Sequence, residues 1–202
     1  MRLAKRLGNR AEFSKVNLCR EASIKRWVAR LTKRHGDIHV LINNAARDPR
    51  IALENVTAKV WDDLIAGNIR AYFLACREAS SHLAKGASIV NFSSITFYTA
   101  PVNMSAYVAT KAAAIGLTRS LSRELGPRRI RVNTISPGWI MTDRQLSDHV
   151  TPAVKRQIRR EQCIPDLNQP DEVADVALFL ASDASRAVTG QEILVDRGWV
   201  HG

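Results

Sequence analysis

The amino-acid sequence predicts an α/β protein in which a parallel sheet is covered by helices. Two observations carry this. Apolar runs of strand length alternate with longer stretches of helical period, joined by short connections. Small and polar residues collect just after the apolar runs, where sheets of this kind bind their ligands.

Glu12 to Asn17 reads as a short strand, and Ala22 to His35 as an amphipathic helix closed by Gly36. Ile38 to Ile42 is an unbroken apolar run, suited to a strand buried on both faces. Thr57 to Leu83 is expected to be helical, with Thr57 as its cap and Gly86 beyond its end. Ser88 to Phe92 is the next strand. Ser105 to Leu125 is a long helix that Gly126-Pro127 stops. Ile130 to Ile135 is a strand running into Pro137-Gly138. An irregular polar region follows, with a helix near Thr151 to Glu161. Asp171 to Ser182 is helical, with Pro170 in its first turn, and Gln191 to Val195 is the last strand. No repeat or long linker divides the 202 residues, so one domain is expected.

Composition narrows the class. With 46% hydrophobic and 24% charged residues the chain can bury an ordinary core. No apolar run approaches the ~18 residues of a membrane-spanning helix. The basic first residues lack a signal peptide's apolar stretch, so a cytoplasmic protein is expected. Cys19, Cys76 and Cys163 lack metal-ligand spacing and read as reduced thiols, leaving no expected metal site. The net charge of +11 suggests nucleic acid at first sight. Eleven Lys/Arg and only two Glu lie in the first 34 residues, however, so the charge is local. Arg20, Lys25, Arg26, Arg30, Lys33 and Arg34 alternate with Ile24, Trp27, Val28 and Leu31 at helical spacing. They fit the solvated face of one helix, and no nucleic-acid motif accompanies them.

Four residues suggest chemistry. Tyr107 and Lys111 stand four apart on one face of the long helix. An ammonium beside a phenol favours the phenolate and is expected to bring the tyrosine pKa down from ~10 toward neutrality. Such a phenol exchanges a proton with an alcohol or carbonyl. Ser94 lies thirteen residues before Tyr107, at a strand end where its hydroxyl can hold the same substrate oxygen. Asn68 sits mid-helix, a middling place for an amide.

Together with Asn43-Asn44-Ala45 after one strand and Pro137-Gly138-Trp139-Ile140-Met141-Thr142 after another, these residues resemble the short-chain dehydrogenase/reductase family along nearly the whole chain. The resemblance implies a Rossmann-like, doubly wound, three-layer αβα fold and a catalytic tetrad of Asn68, Ser94, Tyr107 and Lys111. In it Tyr107 is the acid/base and Ser94 orients the substrate oxygen. Lys111 lowers the Tyr107 pKa and binds the nicotinamide ribose, and Asn68 holds the water of a proton relay. Cofactor contacts fall to Asn17, Leu18, Asn43, Ala45, Tyr107, Lys111, Pro137, Gly138, Ile140 and Thr142. Asn17 stands where the family usually has Asp. The cofactor is expected to be NAD, with NADP not excluded.

A finer resemblance to bacterial aldose dehydrogenases of the xylose type runs through Asn43-Asn44-Ala45-Ala46-Arg47-Asp48, Thr142-Asp143-Arg144-Gln145, Thr151-Pro152, Gln162-Cys163, Phe179–Asp183, Thr189–Glu192 and Gly198-Trp199. It implies an aldose substrate held by Phe97, Trp139, Arg144 and Gln145, although packing alone accounts equally well for Trp139 and Trp199. The apolar residues on several faces of Ser105–Leu125, with the family's habits, imply a homo-oligomer of two or four copies. Neither nucleic acid nor membrane is an expected partner.

The family's opening strand, glycine-rich turn, helix and second strand have no counterpart here, and no Gly-x-x-x-Gly-x-Gly occurs. That turn is where backbone N–H groups meet the cofactor pyrophosphate. A sheet lacking its first two strands is therefore expected, with an open edge at Ile38–Ile42. The 202 residues are read as a partial version of an active enzyme, or else as a truncated product that is inactive or acts as a partner subunit. By themselves they are expected to bind NAD too weakly to measure.

Overall fold

The computed structural model describes residues 7–201. Four parallel strands, β1 (Ile38–Asn43), β2 (Leu83–Phe92), β3 (Arg131–Pro137) and β4 (Glu192–Val195), lie side by side in that order. Between them run α1 (Glu21–His35), α2 (Ala58–Ile65), α3 (Ala71–Ser80), α4 (Thr96–Thr99), α5 (Ser105–Leu125), α6 (Asp143–Asp148), α7 (Pro152–Glu161) and α8 (Pro170–Ala181). A π-helical turn, Ala66–Arg70, joins α2 to α3. No helix among the described residues is long and apolar enough to cross a membrane.

The two-residue period of a strand builds the two sides of the sheet. Ala87 and Ile89 of β2 meet Ile24 and Val28 of α1, Leu74 and Ala79 of α3, and Leu125 of α5 in one core. Val90 and Phe92 point the other way, into a second core with Val173 and Leu180 of α8. The expected three-layer αβα arrangement is thus present, with α1, α3 and α5 on one face and α8 on the other. Thr57 caps its helix as the sequence suggests, accepting from the Val60 N–H, and Thr151 caps α7 in the same way, accepting from the Val154 N–H. On α1, Ile24 and Val28 are buried while Lys25, Arg26, Arg30, Lys33 and Arg34 are exposed.

Three expectations need correction. Glu12–Asn17 forms no strand. A strand exists only through its ladder, and among the described residues no strand runs beside this segment. It is tied instead to α1, through Glu12 with Arg34 and Ser14 with Arg30. The helix begun at Thr57 ends at Ser80, and Leu83 already belongs to β2, where its N-terminal end pairs irregularly with β1 around Gly86. Finally, β1 is buried on one face only. Leu41 and Asn43 turn inward, while Val40 and Ile42 are 39% and 46% exposed. The reason is coverage: α8 packs on β2, β3 and β4 and stops short of β1. Among the described residues β1 pairs with β2 alone and forms the expected sheet edge.

A buried polar chain locks the strands to the central helix. Asn43 donates to Asn91 Oδ1 (2.9 Å), Asn91 donates to Thr118 Oγ1 (2.9 Å), and the Thr134 hydroxyl meets that of Thr118 at 2.6 Å. One strand after another is thereby fixed against α5, and every member has a partner, as buried polar groups require.

Candidate active site

β2 ends at Phe92 and delivers Ser93 and Ser94 to the carboxyl edge of the sheet, where α5 crosses. The Ser93 hydroxyl donates to the Lys111 carbonyl (2.8 Å), and Lys111 Nζ donates back to the Phe92 carbonyl (2.9 Å). This reciprocal pair sets the register between strand end and helix. Lys111 is 3% exposed, with its nitrogen 5.6 Å from the Tyr107 ring centre and 5.7 Å from that of Tyr72. Ser94 is buried and accepts from the Thr96 N–H (3.2 Å). Ser94, Tyr107 and Lys111 therefore converge as the sequence suggests.

Their electrostatics differ from the expectation. Burial pushes the Tyr107 phenol up to about 12, Asp48 adds to the push, and the Ser94 hydroxyl and Arg144 pull it down. Lys111 is itself brought down to about 8, because burial penalises its charge more than Asp48 supports it. Desolvation of the phenol outweighs an ammonium that is bonded to a backbone carbonyl and not to the phenolic oxygen. The expected fall of Tyr107 toward neutrality is not found in this geometry.

Asn68 lies on the π-helical turn, a local widening often found at functional sites. Its amide accepts the Arg47 N–H (2.9 Å) and donates to the Arg47 carbonyl (2.8 Å) and to Thr110 Oγ1 (3.2 Å). Both donors of the amide are thus committed to protein. The side chain clamps the loop after β1 onto α5.

The cofactor positions fall into two groups. Pro137 and Gly138 follow β3, and the Gly138 N–H donates to the Val195 carbonyl (2.9 Å). A Cβ on Gly138 would sit 2.9 Å from Asp196 Cβ and 3.0 Å from its Cα, so only glycine fits. Ile140 pairs with Asn168 and Thr142 caps α6, accepting from the Gln145 N–H. Tyr107 and Lys111 face the same edge of the sheet. Asn43, by contrast, is buried and bonded to Asn91, so its amide serves the fold. Ala45 is exposed, Leu18 packs against the larger core, and the exposed Asn17 accepts from the Cys19 N–H.

Lys111 spends one of its three donors on the Phe92 carbonyl, and the Tyr107 ring centre lies 5.6 Å from its nitrogen. That donor set fits a nicotinamide ribose together with an alcohol or carbonyl substrate. Lys111 and Tyr107 would hold the ribose, and the turn from Pro137 to Thr142 would hold the nicotinamide.

Of the substrate positions, Trp139, Arg144 and Gln145 come together. Trp139 donates from its indole nitrogen to Gln145 Oε1 (2.9 Å), and the Arg50 guanidinium lies over the Trp139 ring at 5.1 Å. Gln145 and Arg144 both donate to the Asp48 carboxylate, at 3.1 and 2.6 Å. Phe97 is on α4, edge-on to Tyr98 and 44% exposed. Asp48 is the site residue that the sequence reading left without a role. Its signal was its place in the Asn43–Asp48 run, and its partners lie 96 and 97 residues away.

A family model described as Enoyl-(Acyl carrier protein) reductase matches residues 1–200. A probable galactose dehydrogenase of Rhizobium meliloti is 38% identical over 199 residues, which are 98% of this chain and 78% of that protein. A D-xylose 1-dehydrogenase of Caulobacter vibrioides is 40% identical over 167 residues, 81% of this chain and 66% of that protein. Among solved structures, a glucose/ribitol dehydrogenase of the short-chain type from Brucella melitensis superposes on 100% of this chain and 81% of its own. The TM-score is 0.89 at 30% identity. The chain belongs to the short-chain dehydrogenase/reductase family and is an oxidoreductase of that class, using a nicotinamide cofactor. It spans about two thirds to four fifths of these relatives' lengths.

Proposed function

We propose that this chain carries the chemistry of an aldose 1-dehydrogenase, oxidising the anomeric carbon of a pentose or hexose to a lactone. The observation that carries the reading is the junction of the Ser94–Tyr107–Lys111 cluster with a polar wall of Arg144, Gln145 and Trp139. The relatives named for galactose and xylose support the sugar.

NAD or NADP, when bound, supplies the hydride acceptor, and NAD is the preferred reading. The chain's own residues do the rest. Ser94 holds the substrate oxygen by its hydroxyl. Tyr107 exchanges the proton on that oxygen, and Lys111 sets the charge beside the phenol. Asn68 keeps the loop that carries Asp48 in register with the catalytic helix. A phenol at about 12 holds its proton at neutral pH. It is set to donate in the reducing direction, and sugar oxidation is expected to accelerate as pH rises. We also take the protein to be a homo-oligomer assembled through α5, to be checked by light scattering.

The test is nicotinamide reduction with D-galactose and D-xylose against 3-oxoacyl thioester reduction. It uses the 202-residue chain and the same chain joined behind a relative's glycine-rich strand–helix–strand unit. Aldose oxidation by the joined form, lost in Tyr107→Phe, is the expected result. Activity confined to thioesters overturns the sugar, and full activity of Tyr107→Phe overturns the catalytic assignment.

A further inference from the structure

Asp48 stands on a rigid mount. The residue before it, Arg47, has both backbone polar groups held by Asn68, whose amide is in turn bonded to Thr110 on the catalytic helix. The carboxylate meets one protein donor on each oxygen, Arg144 on Oδ1 and Gln145 on Oδ2. A carboxylate accepts about four hydrogen bonds, so about half of its capacity is left. The side chain is 18% exposed. It lines a cleft of about 410 Å³ together with Arg50, Ile51, Leu64, Arg144 and His149, a volume that accommodates a monosaccharide. Arg144, 57% exposed at its side chain, keeps N–H donors free on the same cleft beyond its bond to Asp48.

We propose that Asp48 determines substrate class, accepting hydroxyl groups of a polyhydroxylated substrate while Arg144 donates to their oxygens, and so excludes substrates without hydroxyls there. The inference rests on the aldose reading above. A polyol presents O–H donors and oxygen acceptors side by side, which is the complement of a carboxylate next to a guanidinium. An acyl chain or a plain ketone would strip water from both charged groups and return no hydrogen bond. A site built to hydrogen-bond a substrate hydroxyl discriminates against an analogue that lacks it, because the lone pairs it covers lose water without gaining a partner. Asp48 and Arg144 follow the carboxyl ends of β1 and β3, the end of the sheet at which Ser94 follows β2.

The test uses the full isotope-labelled chain, read at the Trp139 indole N–H, which is bonded through Gln145 to Asp48 and is assigned with Trp139→Phe. D-Galactose and its monodeoxy analogues are titrated into wild type, Asp48→Ala and the isosteric Asp48→Asn. Cooperative melting establishes that each variant is folded. Asp48→Ala is expected to weaken galactose binding about 10- to 100-fold, and Asp48→Asn less, since its amide oxygen still accepts. Removing the hydroxyl that Asp48 holds is expected to weaken the wild type by a similar factor and to leave Asp48→Ala unchanged. Equal galactose binding by all three proteins overturns the proposal. So does a deoxy penalty that persists in Asp48→Ala, because the carboxylate would then only be supporting the loop. If the folded wild-type chain and the joined form take no aldose, the sugar reading itself has failed and this inference falls with it.

Discussion

Lys111→Met is expected to make the protein more stable while removing its catalysis. The ammonium is 3% exposed and has one hydrogen bond, to the Phe92 carbonyl at 2.9 Å. Burial lowers its pKa from 10.5 to about 8. At about 1.4 kcal/mol per pH unit, holding the charge at neutral pH costs the folded state on the order of 3 kcal/mol. Methionine keeps the length of the stem and forfeits a hydrogen bond worth about 1 kcal/mol, leaving a net gain of about 2 kcal/mol. For a chain of this size that raises Tm by roughly 4–8 °C.

The pH dependence makes the test sharper. Because the folded pKa lies below the unfolded one, the unfolded chain holds a proton between about 8 and 10.5 that the folded protein has released. Wild-type stability therefore rises with pH across that window and is lost as pH falls through it. The advantage of Lys111→Met should be full below pH 8, shrink as pH rises through the window, and turn into a deficit of about 1 kcal/mol, the lost hydrogen bond, above 10.5. Tyr107, with its folded pKa raised to about 12, loses stability only above 10 and does so in both proteins. Urea denaturation at pH 7 and pH 10 measures the gap. Equal stability at pH 7, or a gap that does not change with pH, refutes the account of a desolvated ammonium.

Three further outcomes are expected. Ser94→Ala should lower turnover by about 2–4 kcal/mol in activation free energy if its hydroxyl stabilises charge on the substrate oxygen, with Tm nearly unchanged. Tyr72→Phe should stabilise the fold by about 1–2 kcal/mol in denaturant titrations, since unsatisfied buried hydroxyls cost that much. The Tyr72 hydroxyl is buried and has no hydrogen-bond partner among the described residues, so a loss of stability would show that it is bonded. Gly138→Ala should destabilise by about 1–3 kcal/mol because the backbone must retreat. Its new Cβ meets Asp196 at 2.9 Å, and a raised KM is expected with it, Trp139 being the next residue.

The sequence by itself determined the elements and the chemical face. Alternating strand and helix patterns, the cap at Thr57 and the stop at Gly126-Pro127 are written within a few neighbouring residues, and they imply strands side by side in one parallel sheet, as found. Tyr107 and Lys111 share a side of α5 for the same local reason, since residues four apart lie one turn above each other. Tertiary structure decided everything that depends on what lies across from a residue. Ile38–Ile42 is apolar throughout, yet whether its second face is covered depends on how far α8 reaches, and α8 follows more than a hundred residues later. A single helix face suggests that an ammonium activates a phenol, but the direction of the shift is set by water, and burial removes water from both groups. Asn68 was legible as an unusual mid-helix amide, while its clamp on Arg47 and Thr110 was not. Asp48 shows the limit most plainly: its carboxylate acquires Arg144 and Gln145 only when the loops after β1 and β3 close on the same end of the sheet. Periodicity is a short-range property of the chain, whereas desolvation and charge pairing are properties of the packed whole.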